Sequence, residues 1–186
     1  MTRQLEDEKG GLLSGVLRRW RVRAAAPLIA PPILDVGCGY TAPLAARCKP
    51  DEYVGVEIEP ARLARAKEAF PTHRFVDAIP SGEQFRTVVA LAVIEHVSDP
   101  DGFAAALVAA TQSKGRIVIS TPAPVGEVVH HAGARVGIFS RDASEEHDSV
   151  MSRDELLATF ERAGAQPLRY RRFMFGMNQL AIFRVD

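Results

Sequence analysis

Ile33-Leu34-Asp35-Val36-Gly37-Cys38-Gly39-Tyr40-Thr41 is a short apolar run that breaks into two glycines. A near-continuous apolar run of this length suits a strand buried on both faces of a sheet. Glycines two residues apart let the chain turn tightly and let a ligand approach the main chain. In an open α/β sheet the ligand crevice lies at the carboxyl ends of the strands, near the point where strand order reverses. The spacing also satisfies Gly-x-Gly-x-x-Ala through Gly37, Gly39 and Ala42. That pattern alone describes a nicotinamide dinucleotide site equally well.

Outward from this loop, strands and helices alternate. Strands are predicted at Tyr53–Val56, Arg74–Val76, Thr87–Leu91 and Arg116–Ser120, with helical stretches at 43–48, 60–70 and 100–112. Such alternation argues a doubly wound, mostly parallel α/β sheet of the Rossmann-like kind, with helices on both faces. Ser152-Arg153-Asp154-Glu155 is a capping-box signature that opens a helix to Ala163, and Gly164 ends it. Leu168–Phe173 and Gln179–Val185 read as an antiparallel hairpin at the sheet edge, turning around Gly176 and Asn178. Residues 11–26 read as a helix, with Leu12, Leu13, Val16, Leu17 and Trp20 at helical spacing. Residues 1–9 are polar and expected to fray.

Bulk properties bound the function. A chain of 186 residues fits a single domain, 1–186, with a sizeable core. The formal net charge of +0 gives no broad basic field, which disfavours nucleic acid as a partner. Arg18, Arg19, Arg21 and Arg23 surround Trp20. The simplest expectation is a solvated basic face with Trp20 packed inward; a basic amphipathic helix can also mark an anionic partner. The two cysteines, Cys38 and Cys48, form neither a disulfide framework nor a metal-ligand spacing. Acids at Glu6, Asp7 and Glu8 do not suit a signal peptide, and Ala24–Leu34 is too short and too rich in proline to span a bilayer. A cytoplasmic protein without stable membrane insertion is expected.

The ends of the strands carry the chemistry. Asp35 stands two residues before Gly37, where a carboxylate can anchor the loop and face a cationic ligand. Glu57 ends the second strand, the expected place for an acid that accepts from ribose hydroxyls. Asp77, followed by Ala78, ends the third. The fourth runs from Leu91 into Ala92-Val93-Ile94-Glu95-His96-Val97. Polar or glycine switches at four successive strand ends are hard to assign to core packing.

At these residues the chain resembles the class I S-adenosylmethionine (SAM)-dependent methyltransferases, and within them the small-molecule branch grouped as type 11 or ubiquinone-biosynthesis-like. The resemblance covers roughly residues 30–186. It implies SAM as cofactor and S-adenosylhomocysteine (SAH) as product. It places Asp35, Gly37, Cys38 and Gly39 at the methionine part of SAM. Glu57 would bind the ribose and Ile58 would pack on adenine. Asp77 and Ala78 would read the adenine edge, and Leu91 would lie near the amino-acid end. Glu95-His96-Val97 resembles the family's Glu-His-Val signature. His147 and Ser152-x-x-Glu155-Leu156 resemble the segment before its last helix, and the terminal hairpin resembles its antiparallel seventh strand.

Two departures stand out. Thr41 replaces the usual third glycine and is expected to cap a following helix, with Pro43 in its first turn. Metal-dependent relatives place another Glu three residues before the Glu-His pair; Ala92 stands there, so no metal is expected. The resemblance implies methyl transfer to a small-molecule acceptor, by family analogy O-methylation of a metabolite or a surface-polysaccharide sugar. A hydroxyl acceptor calls for a base, for which His96 and His147 are the candidates, with His130 and His131 in the same long loop as His147. Residues 1–30 and 121–150 are the candidate lid and acceptor loop. Phe173, Met174, Phe175 and Met177 line an apolar acceptor pocket or belong to an edge-strand core. A nicotinamide-dependent oxidoreductase and a non-catalytic SAM-binding subunit remain the alternatives.

Overall fold

The computed structural model describes residues 12–124 and 150–186. Seven strands form one sheet: β1 (Ile33–Val36), β2 (Tyr53–Val56), β3 (Arg74–Val76), β4 (Phe85–Leu91), β5 (Thr111–Pro122), β6 (Ala165–Phe173) and β7 (Asn178–Val185). Their order is β3-β2-β1-β4-β5-β7-β6. Strands β1 to β5 pair in parallel, and β7 runs antiparallel between β5 and β6. The order reverses between β1 and β4, so the switch point stands at the end of the Ile33–Val36 run.

The helices are α1 (Leu12–Ala25), α2 (Pro60–Ala69), α3 (Pro100–Ala109) and α4 (Arg153–Arg162). Side chains alternate across each strand, so two cores form. Leu34, Val36, Val88, Ile117, Ile119 and Phe183 pack with Leu107 of α3 and Leu156 and Phe160 of α4. On the other face Ile33, Tyr53, Val89, Val118 and Leu180 pack with Val22 and Ala25 of α1 and Ala66 of α2. Every residue of β1 is buried, as a strand covered on both faces requires.

Several local expectations hold. Ser152 Oγ accepts from Glu155 N at 3.3 Å while Glu155 Oε2 accepts from Ser152 N at 2.8 Å, closing the capping box that starts α4. Gly164, at φ 95°, ends that helix.

Others are corrected. Helix α3 stops at Ala109, and Thr111 and Gln112 already belong to β5. Thr111 Oγ1 bonds back to Leu107 O at 2.7 Å, which satisfies a carbonyl of the helix end and turns the chain out of it. Only a 3₁₀ turn, Ala45–Arg47, stands in the expected 43–48 helix, and no side chain caps it. Ala42 sits at φ 32°, outside helical space, so Thr41 caps nothing. Asn178, expected in the hairpin turn, is buried within β7. Trp20, expected to pack inward, is 54% exposed. The inward stripe of α1 runs through Arg18, Arg21, Val22 and Ala25, one position round from the apolar residues that set the expectation.

Candidate functional site

The glycine loop is held by backbone. Gly37 N and Cys38 N both donate to Val56 O, at 2.9 and 3.0 Å, so β2 fixes the end of β1. Gly37 and Gly39 have φ of 72° and 67°, a region that L side chains enter at a cost. A Cβ on Gly37 would collide with the Val93 side chain, whereas nothing stands within 4 Å of the Cβ position at Gly39. The loop is therefore closed against the β4 end at Gly37 and open at Gly39. That open main chain is the kind of cradle a ligand approaches closely.

Glu57 ties the loop to the next strand end. Its Oε2 accepts from Gly39 N at 3.1 Å and its Oε1 from Glu59 N at 3.0 Å. The carboxylate is only 6% exposed. Each oxygen keeps a second lone pair, so two vicinal hydroxyls can still be received. Beside it Ile58 is 80% exposed, an apolar side chain beside a polar site. Asp77 and Ala78 lie exposed after β3, and Leu91 is half-buried at the end of β4. The donor set and the open loop thus fit a ligand with a ribose and a flat base.

Asp35 behaves differently from expectation. Its Oδ2 accepts from the Tyr53 hydroxyl at 2.8 Å and not from the loop amides. Burial pushes its carboxyl up to about 7, against the pull of the Tyr53 bond. Burial and the charges of Asp35 and Glu57 push the Cys38 thiol up to about 12, so it stays protonated and is no nucleophile.

On the far side of the switch point the site is built from side chains. Ala92 takes φ 60° after β4, and its N–H donates to Ser120 O at 2.7 Å. This turn leads into a 3₁₀ turn, Ile94–His96, that buries Glu95 to 2% while His96 is exposed. Glu95 Oε2 accepts from Thr121 Oγ1 at 2.9 Å. Arg21 of α1 lies in the field of Glu95, and its Nε donates to Asn178 Oδ1 at 3.1 Å. Desolvation holds the Arg21 guanidinium below its usual range. Ser120 Oγ, fully buried on β5, is the only buried side-chain polar atom without a partner among the described residues.

Helix α1 joins the two sides. Arg18 Nη1 donates to Thr41 Oγ1 at 2.8 Å, and its guanidinium lies 5.4 Å from the Tyr40 ring centroid. Arg65 of α2 covers the same ring at 4.1 Å. Sequence reasoning missed Arg18, Arg21, Thr121, Asn178 and Tyr53. A signal for the arginines existed, because Arg18, Arg21, Val22 and Ala25 share one stripe at i, i+3, i+4 and i+7. His130, His131 and His147 lie outside the described residues. Phe173 packs in the α1-side core. Phe175 is fully exposed and packs into neither core among the described residues.

A switch-point crevice with a glycine loop, an acid after β2 and an antiparallel β7 is the architecture of the class I methyltransferases. The chain belongs to the methyltransferase domain family, whose model matches residues 10–170. It is a SAM-dependent methyltransferase, which sets aside the oxidoreductase alternative. A ubiquinone biosynthesis O-methyltransferase from Ruegeria sp. (strain TM1040) is 29% identical over 169 residues, covering 83% of this chain and 68% of that protein. Two solved structures share the fold. One is a complex of the Haloferax volcanii Trm112 methyltransferase activator with a methyltransferase, at 14% identity and TM-score 0.70, covering 90% of each chain. The other is magnesium protoporphyrin IX methyltransferase from Synechocystis PCC 6803 with bound SAH. It is 17% identical with a TM-score of 0.63, covering 92% of this chain and 82% of that one.

Proposed function

We propose that the chain methylates a hydroxyl of a small molecule, a metabolite or a surface-polysaccharide sugar, in the cytoplasm. The observation that carries this reading is the polar cluster Glu95, Thr121, Arg21 and Asn178 at the ends of β4, β5 and β7. Buried hydrogen-bonding groups recognise hydroxyls, and leaving them unpaired is costly. The relative's O-methyltransferase name supports the same choice.

SAM supplies an electrophilic methyl on a sulfonium with a good leaving group. The protein has to align the acceptor with it and keep water out. In this reading the loop Gly37, Cys38 and Gly39, open at Gly39 and beside Asp35, holds the methionine part. Arg18, already at Thr41, supplies a cation for its carboxylate. Glu57 receives the ribose hydroxyls. Ile58 covers the adenine face, Asp77 and Ala78 meet its edge, and Leu91 closes the amino-acid end. His96 or His147 takes the acceptor proton. Helix α1 serves as the lid over a single domain, and the acceptor loop expected at 121–150 lies largely outside the described residues, Thr121 and Pro122 being part of β5.

Calorimetric titration with SAM, SAH and NAD tests the cofactor half. SAM and SAH should bind and NAD should not. Glu57→Gln should weaken SAH by about 30-fold, the scale of hydrogen bonds to a charged group. Unchanged SAH affinity in that variant would remove Glu57 from the site. Labelled SAM with matched hydroxyl and amine acceptors tests the other half, and turnover confined to amines would overturn the O-methylation reading.

A further inference from the structure

We propose that the outer face of α1 and the tip of the β6–β7 turn form a docking surface for an anionic membrane. This goes beyond the methyl-transfer reading and stands on separate observations.

Val16 and Trp20 share one face of α1 and are 48% and 54% exposed. Arg19 and Arg23, also exposed, run beside them one position back. The Arg171 guanidinium donates to Ala24 O at 3.0 Å, which brings an exposed arginine of β6 to the end of this helix. None of these three arginines forms an ion pair with a described carboxylate.

The second observation is the turn. Met174, Phe175 and Gly176 have φ of 53°, 55° and 86°, three successive left-handed residues of which two carry bulky side chains. That backbone is unfavourable for Met and Phe, and Asn or Gly would serve the turn better. The strained turn holds Phe175 wholly in solvent, at 102% relative exposure. Arg21 bonds Asn178 at the base of the same turn, so the tip and α1 are neighbours.

Aromatic side chains flanked by arginines are the composition of a surface that sits at a lipid headgroup layer. The apolar groups project singly, Val16 and Trp20 from a helix and Phe175 from a turn tip. A fluid layer accepts isolated protrusions, whereas a folded protein must offer a matching pocket for each. Membrane docking here needs no spanning segment, and among the described residues no helix is long and apolar enough to be one. The patch adjoins Asn178, which pairs with Pro122 at the carboxyl end of β5, so a docked molecule holds its acceptor side against the lipid.

The test uses the full chain and vesicles of phosphatidylcholine with or without phosphatidylglycerol. Trp20 is the sole tryptophan and reports directly. Co-sedimentation with the phosphatidylglycerol vesicles and a blue shift of Trp20 emission are expected, both weakening as salt rises. Arg19→Glu with Arg23→Glu should reduce binding by about tenfold or more, as should Phe175→Ser, with SAH affinity unchanged. The proposal is overturned if SAH-competent protein ignores anionic vesicles. It is equally overturned if these variants bind them as well as the parent, or if Phe175→Ser abolishes only a concentration-dependent self-association.

Discussion

The two sides of the switch point are built from different materials. On the β1–β3 side the main chain does the holding. Val56 O receives two amides, and Glu57 receives two more from residues 39 and 59. On the β4–β7 side the contacts are between side chains far apart in sequence. Thr121 reaches Glu95 across 26 positions, and Arg21 reaches Asn178 across 157. A backbone-built site tolerates few changes at its glycines and many elsewhere. A site built from side chains can be altered one residue at a time, which suits the half of the molecule proposed to take the acceptor.

The sharpest way to break this contrast is at the loop itself. Gly37→Ala must carry both a left-handed φ and a collision with Val93, whereas Gly39→Ala carries only the φ. Left-handed strain costs about 1–2 kcal/mol and overpacking about 1–3 kcal/mol more. Gly37→Ala should therefore lose about 4 kcal/mol in denaturant unfolding, and Gly39→Ala about 1–2 kcal/mol. In Gly39→Ala the loss of SAH affinity should exceed the loss of stability, because its methyl enters the open cradle. Equal destabilisation by the two changes would mean that β4 does not brace the loop.

Asp35 gives a pH-dependent test on the same side. Its carboxyl is raised from the usual range near 4 to about 7 by burial. Between those values the folded state keeps a proton that the unfolded chain releases. Stability therefore falls as pH rises from about 4 through 7, and below about 4 the two states do not differ. Asp35→Asn removes that loss and can keep the Tyr53 hydrogen bond. Its unfolding free energy should match the parent near pH 4 and exceed it at pH 8, by on the order of 4 kcal/mol. An equal gain at both pH values would show that the proton is not involved. In the same variant the preference for cationic SAM over neutral SAH should no longer grow between pH 6 and pH 8.

These contrasts explain what could be read beforehand. Strand ends were legible because a buried strand is a run of apolar residues and its end is marked by Gly37, Glu57 or Asp77. The residues proposed for the cofactor were reached for the same reason, since each lies within a few positions of such an end. Asp35 was placed correctly in the chain but assigned the wrong partner, because Tyr53 meets it only through β1–β2 pairing. Helix α1 was turned the wrong way. Its inner stripe carries Arg18 and Arg21, so hydrophobic periodicity chose the row containing Val16 and Trp20 instead. A helix that covers a polar site breaks the rule that its apolar face is its buried face, and such local inconsistencies concentrate at functional sites.

Thr41 offers the smallest and most discriminating change. A helix-capping threonine would hold a backbone amide, and its loss would cost about 1 kcal/mol whatever stood at position 18. The observed partner is the Arg18 guanidinium at an exposed site, worth a fraction of that. Thr41→Val and Arg18→Gln should each cost about 0.5 kcal/mol, and the double variant should cost less than their sum by a few tenths of a kcal/mol. The same cycle read by SAH affinity should show coupling too, since the pair joins α1 to the glycine loop. Additivity in both readouts would detach α1 from the glycine loop and leave Arg21, with Asn178 and Glu95, to hold it at the crevice.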